Sequence, residues 1–225
     1  MTRKKLKHFA EMKEWSHVLE PEWGGPSGLA GTWGGAEDSA MRPVILELAC
    51  GKGYYTLAVA ERRSDAVVVG VDIKGARIWH GAEVAKERGM ENVRFLRTRI
   101  EDLAQHFADG EVAEIWITFP DPHPREGKEK KRLTGRRFLE IYRQVLRPGG
   151  KLHLKTDDDA LFEWTLEVLR EEERAGRVAI EEVIWDVYSE DELDGDFAEL
   201  LHVKTQYEEK FLKKGRTIKY LRFKV

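Results

Sequence analysis

The chain has 225 residues, a formal net charge of −3, 41% hydrophobic residues and a single cysteine. That length buries one good core and makes a single α/β domain the default. One cysteine excludes an intrachain disulfide framework and fits a reducing compartment. No apolar run approaches the roughly 20 residues needed to span a bilayer. The basic start, Met1 to Lys7, is not followed by the apolar stretch of a secretory leader. A cytoplasmic protein without a membrane partner is the expectation.

In chain order, the sequence alternates strand and helix. Residues 1–19 carry a short helix with Phe9, Met12 and Trp15 on one face. Residues 20–41, rich in Gly and Pro, read as a mobile loop whose Trp23 and Trp33 pack on the protein. This piece, 1–41, is set apart from a domain over 42–225. Strands are expected near 44–49, 67–72, 93–97, 113–119 and 151–155, and helices near 54–64, 76–88, 100–107, 135–146 and 158–173. Pro148-Gly149-Gly150 marks a tight helix-to-strand turn, and two more strands follow at 178–187 and 217–224. Such alternation builds a sheet with helices on both faces, which binds ligands beyond the carboxyl ends of its central strands.

Val44-Ile45-Leu46-Glu47-Leu48 runs into Ala49-Cys50-Gly51-Lys52-Gly53, a strand ending in a glycine turn that opens a helix. Glycine there lets the backbone approach a ligand closely. The turn alone is weak evidence, but the next strand ends in Asp72, where such folds bind the hydroxyls of a ribose. A dinucleotide would need a third glycine to admit its pyrophosphate. That position holds Thr56, after the bulky Tyr54 and Tyr55. Glu47 repels phosphates and suits a cationic amino group. S-adenosylmethionine, which has an amino group, a sulfonium, a ribose and no phosphate, fits better than NAD. Cys50 reads as a small packed residue and His153 as a core histidine, and no spacing of His with Cys or His suggests a metal.

The strand Ala113-Glu114-Ile115-Trp116-Ile117-Thr118 leads into Phe119-Pro120-Asp121-Pro122-His123-Pro124-Arg125, then Lys128, Lys130, Lys131 and Arg132. Prolines restrict the backbone on both sides of Asp121 and favour a preset position for its carboxylate. A fixed carboxylate beside phosphate-seeking cations points to chemistry on a nucleic-acid base. The competing account is a proline-rich surface turn followed by a solvated charge run. Cations also gather at Arg3 to Lys7 and Lys210 to Lys219, whereas acids crowd Glu163 to Glu199 as a solvated face.

The runs Leu46 to Gly53, Gly70-Val71-Asp72, Phe119 to Pro124, Lys130 to Leu133, Leu154 to Asp157 and Thr205-Gln206-Tyr207-Glu208 occur in the order found in bacterial tRNA (guanine-N7-)-methyltransferases. From about Val44 to the C-terminus the chain resembles that family. The resemblance implies a Rossmann-like seven-stranded methyltransferase sheet, mostly parallel with the last strand antiparallel. It also implies methylation of a guanosine at position 46 in the tRNA variable loop. By the same likeness, Glu47, Gly51, Gly53, Asp72 and Asp121 serve the methyl donor, with Asp121 also at the reaction centre. Arg125, Asp157, Thr205, Gln206, Tyr207 and Glu208 serve the RNA, with Lys130, Lys131 and Arg132 on its phosphates.

The sequence departs from the family at three places. His123 replaces a usual tryptophan, and Glu126, Gly127 and Glu129 interrupt the basic block. Arg99 stands where many members carry an Asp or Asn against the donor's adenine. Because arginine accepts no hydrogen bond, either Arg99 stacks on the ring or points away, or Glu101, Asp102 or a backbone group serves the adenine. Guanine N7 has a lone pair and no proton, so positioning and charge stabilisation are the catalytic tasks. The rival readings are a methyltransferase acting on a small molecule or protein, and a non-catalytic RNA-binding subunit. The expected partners are tRNA and no metal, with the protein a monomer or homodimer.

Overall fold

The computed structural model describes residues 3–22, 25–35, 41–125, 127–189 and 198–225, so Trp23, Glu126 and the acidic stretch from Glu190 to Asp196 lie outside the described residues. In chain order the elements are α1 (Arg3–Lys13), β1 (Val18–Leu19), β2 (Val44–Leu48), α2 (Tyr54–Arg62), β3 (Val67–Asp72), α3 (Gly75–Glu87), β4 (Val93–Arg97) and β5 (Val112–Thr118). There follow α4 (Arg136–Val145), β6 (Leu146–Thr156), α5 (Asp159–Arg174), β7 (Ala179–Ile184), α6 (Ala198–Leu201), α7 (Gln206–Leu212) and β8 (Lys219–Lys224). Two short 3-10 segments, Ile100–Gln105 and Glu129–Lys131, precede β5 and α4.

The strands form one eight-stranded sheet ordered β1-β4-β3-β2-β5-β6-β8-β7. Pairing is parallel from β1 through β6, and β8 runs antiparallel to both of its neighbours. Central strands of such a sheet are covered on both faces and so read as unbroken apolar runs. Their alternation still sorts residues into two cores. Leu46, Val69, Ile115 and Leu154 join Leu139 and Tyr142 of α4 and Phe162 of α5 on one side. Ile45, Val68, Phe95 and Trp116 join Tyr55 of α2, Ile78 of α3 and Met12 of α1 on the other.

The sheet has one strand more than the seven expected. The addition is β1, two residues pairing with Phe95 and Leu96 of β4, too short to show a period within the stretch read as helix 1–19. The helix itself ends at Lys13, and Met12 and Trp15 are buried as expected. Trp33 is also buried, stacked 4.9 Å from Phe107 with its indole N–H donated to the His106 carbonyl. The turn at Pro148-Gly149-Gly150 is built into the start of β6, with Gly149 at φ 76°. His153 is fully buried, bonded to the Tyr220 hydroxyl at 2.7 Å and stacked 3.9 Å from Trp116. The acidic run corrects one reading: Glu172 is only 2% exposed and meets Arg136, Arg143 and Arg177, so it is no solvated residue. Among the described residues, no helix is long and apolar enough to cross a membrane.

Candidate active site

From β2 the chain proceeds outward to β3 and β4, then returns to β5 on the other side of β2. That reversal opens a crevice above the carboxyl ends of β2 and β5. A cleft of about 570 Å³ occupies it. The glycine turn and the tip of β3 supply one side, with Gly51 and Asp72, and the proline turn after β5 supplies another, with Asp121. Asp157 follows β6, and Thr205, Tyr207 and Phe211 come from the start and body of α7.

Glu47 sits on β2 facing α2. Its carboxylate accepts from the Thr56 N–H at 2.7 Å, from the Thr56 hydroxyl, and from the Thr118 hydroxyl at 2.7 Å. Burial pushes its carboxyl up to about 7, against the downward pull of these bonds and with added repulsion from Asp72. Asp72 accepts from the N–H groups of Gly51 at 2.9 Å and Lys74 at 2.8 Å, tying the glycine turn to the tip of β3. The turn needs its glycine at 53. There φ is 71°, and a Cβ would lie 2.6 Å from the Phe95 ring. Cys50 is buried against the cleft, and burial raises its thiol well above the usual range, consistent with a packed residue.

Asp121 projects from the proline turn with 72% of its side chain exposed. It accepts from the His123 N–H at 3.1 Å, while the His123 Nδ1 stands 3.7 Å from the same oxygen. Phe119 and His123 adopt φ 48° and 44°, in a region uncommon outside glycine. A second hollow of about 250 Å³ lies on this turn, lined by Asp121, His123, Pro124, Arg125, Lys128 and Lys131. Asp121 therefore borders both the cleft and a ring of cations. Asp157 is buried beneath Arg216, whose Nη1 donates to it at 2.6 Å.

The structure thus brings Glu47, Gly51, Asp72, Asp121, Asp157, Thr205 and Tyr207 to one cleft, and Arg125 and Lys131 to the adjoining hollow. Lys130 is exposed nearby but lines neither. Four expected residues stand elsewhere. Gly53 packs beneath Phe95 and does not line the cleft. Arg99 is turned onto Asp102 in a bidentate pair at 2.7 and 3.1 Å, and neither residue lines the cleft. Arg132 is 8% exposed and bonded to backbone carbonyls, so it offers no free face to a phosphate. Glu208 is fully buried, paired with Lys155 at 2.7 Å and accepting from the Tyr188 hydroxyl at 2.7 Å. Its T-x-Y-E pattern is a capping box in which the Thr205 hydroxyl accepts from the Glu208 N–H and the Glu208 carboxylate accepts from the Thr205 N–H. The side chain of Gln206 lies outside the described residues.

Sequence reasoning overlooked Thr118, Phe211 and Arg216. Thr118 was visible as the hydroxyl ending β5, two residues beyond Trp116, the partner of Glu47 in the sheet. Phe211 and Arg216 carry no local signal. The chain's return towards β8 brings Arg216 onto Asp157, and α7 sets Phe211 5.9 Å from Phe119 at the cleft.

A family model described as "Putative methyltransferase" matches residues 41–221. A tRNA (guanine-N(7)-)-methyltransferase of Bacteroides thetaiotaomicron is 39% identical, covering 100% of this chain and 87% of that protein. One of Christiangramia forsetii is also 39% identical, covering 100% of this chain and 99% of the relative. Among solved structures, the 16S rRNA methyltransferase KamB shares the fold with a TM-score of 0.58 at 16% identity, over 80% of this chain and 86% of that one. With relatives of this identity matched over the whole length, the chain belongs to the tRNA (guanine-N(7)-)-methyltransferase family.

Proposed function

We propose that this protein transfers the methyl group of S-adenosylmethionine to N7 of a guanosine in tRNA, at position 46 of the variable loop. One observation carries the reading: Asp121 borders both the nucleoside-sized cleft and a hollow lined by Arg125, Lys128 and Lys131. A base entering the cleft would thus leave its phosphates beside cations. A tRNA substrate also puts the protein in the cytoplasm.

The residues of the cleft fit the donor. Thr56 fills the place where a pyrophosphate would need glycine, and both its N–H and its hydroxyl are committed to Glu47. Asp72, fixed by two backbone N–H groups, retains lone pairs for ribose hydroxyls. Glu47 supplies a carboxylate for the amino group. When bound, S-adenosylmethionine supplies an electrophilic methyl carbon on a cationic sulfur, and its departure as a neutral thioether moves the positive charge onto the purine.

N7 attacks with its own lone pair, so no side chain must remove a proton to create the nucleophile. The work of the chain is to hold N7 in line with the methyl carbon and to stabilise the cationic ring. Asp121 carries the second task, favouring the cationic transition state over the neutral ground state. Asp157 accepts from the N1 and N2 protons of guanine. Lys130, exposed beside the hollow, adds to the phosphate contacts of Arg125, Lys128 and Lys131. Because the base must leave its stack, an accessible guanosine in a structured loop is the expected target.

The test is to incubate the protein with labelled methyl donor and total tRNA, digest to nucleosides and map the label. Label in 7-methylguanosine from the variable loop is expected. Label in any other nucleoside, or none in RNA, overturns the reading.

A further inference from the structure

We infer that Arg132 is a positioning residue that holds the Asp121 turn in its reactive placement by bolting it to α5. The inference rests on the proposed role of Asp121. Arg132 belongs by sequence to the basic block, yet its side chain is spent inside the protein. Its Nε donates to the Pro122 carbonyl at 3.1 Å and its Nη2 to the His123 carbonyl at 3.3 Å. The guanidinium lies over the Trp164 ring, with its carbon 4.5 Å from the centroid. One planar group therefore grips the carbonyls of the two residues that follow Asp121 and rests on a side chain of α5.

The turn needs such a restraint. Phe119 and His123 both hold positive φ, a strained conformation for residues other than glycine that persists only where the surroundings over-determine it. Prolines 120, 122 and 124 cannot donate backbone hydrogen bonds. The local bond from the His123 N–H to Asp121 spans only two residues and ties the turn to nothing outside itself. Phe119, at the start of the turn, is held by its N–H on the Lys155 carbonyl at 2.8 Å, and Arg132 supplies the outside anchor at the His123 end. Its second contact gives the anchor a direction, because α5 begins directly after Asp157 and Asp158, and Asp158 caps it through the Leu161 N–H at 2.8 Å. Arg132 thus links the loop carrying Asp121 to the helix that follows Asp157 and Asp158, and sets the Asp121 and Asp157 carboxylates relative to each other across the cleft. A lysine cannot replace it, since an ammonium lacks the planar fork that reaches two carbonyls while stacking on an indole.

The test uses the full chain with Arg132→Lys, Arg132→Met and Trp164→Leu, each checked by its thermal melt and by S-adenosylmethionine binding. For Arg132→Lys and Arg132→Met the single-turnover rate at saturating tRNA should fall roughly 10–100-fold, as for a reacting group displaced by about an ångström. Trp164→Leu should fall less. The tRNA Kd and the log-log salt slope should stay at wild-type values, whereas losing a phosphate contact lowers that slope by about 0.7–0.9. Amide exchange across residues 118–125 should accelerate in both arginine variants, a readout independent of activity. A reduced salt slope with a normal single-turnover rate would make Arg132 a phosphate contact and overturn the inference. So would wild-type exchange in the turn, or full activity in Arg132→Lys. If wild-type protein failed to methylate guanine N7, the function proposed above would fall, while the exchange measurement would still decide whether Arg132 holds the turn.

Discussion

Asp121 is 72% exposed, and an exposed carboxylate in water stabilises a neighbouring cation only weakly. Its catalytic value depends on the guanine covering it and excluding water. Asp121→Asn preserves shape and one acceptor oxygen while removing the charge. Single-turnover methylation should fall by about 100–1,000-fold, with tRNA affinity little changed because phosphates carry most of it. Near-normal methylation by this variant would remove Asp121 from the mechanism. Glu47 gives a second prediction. Its carboxyl, held at about 7 by burial, is partly protonated at neutral pH. A cationic amino group beside it would favour the ionised form and expel the proton. Donor affinity should therefore rise with pH up to about 7 and level off above. Calorimetry near pH 6.5 in buffers of different ionisation enthalpy should detect proton release. Flat affinity between pH 6 and 8 with no released proton would separate Glu47 from the donor's charged end.

At the level of elements, α7 reaches the cleft through a buried ion pair. Lys155 of β6 and Glu208 of α7 are both fully buried, and the Lys155 ammonium also donates to the Leu201 carbonyl at 2.5 Å and the Val203 carbonyl at 3.2 Å. Burial lowers the Lys155 pKa, and the adjacent Glu208 carboxylate opposes that shift. Removing one member strands the other charge in the interior, at a cost of about 3–5 kcal/mol. Lys155→Met should therefore lose stability of that order in urea unfolding, and Lys155→Met with Glu208→Leu should recover part of it. A double variant as unstable as the sum of both singles would mean the two residues do not act as a pair. Such pairing explains where the sequence was opaque. T-x-Y-E was legible as a motif, but a capping box and an RNA contact use the same letters. Only the burial of Glu208 beside a lysine 53 residues away separates them. Arg132 was misread for the same reason, since its partners are carbonyls, which leave no mark in sequence. The placement of Glu47, Asp72 and Asp121 at the cleft was legible because each lies within three residues of the end of an apolar strand, whose direction fixes where a side chain arrives.

For the molecule as a whole, the alternation of strands and helices was readable from periodicity, whereas β1 was too short to register. The acidic stretch concealed a tertiary clasp. Glu172 of α5 gathers Arg136 and Arg143 of α4 with Arg177 before β7, and its hydrogen bonds, led by that from Arg177, draw its carboxyl down to about 2. A depressed carboxylate contributes stability that is complete above its unfolded pKa of roughly 4.5. That contribution fades as pH falls toward 2. Melting temperature should thus decline below about pH 5, and Glu172→Gln should be less stable at neutral pH with a shallower acid decline. An unchanged acid profile in that variant would assign the decline to other carboxylates.

The position of β8 also has a consequence for synthesis. Residues 219–224 lie between β6 and β7, yet they are translated after both. Until they leave the ribosome, β6 has one uncovered edge and β7 has no partner strand, so each can pair with another chain. The same segment carries the chain back past Asp157 after Arg216. Growing chains halted before residue 219 would therefore have neither a closed sheet nor a finished cleft, and methyl transfer would begin only once the last strand is in place.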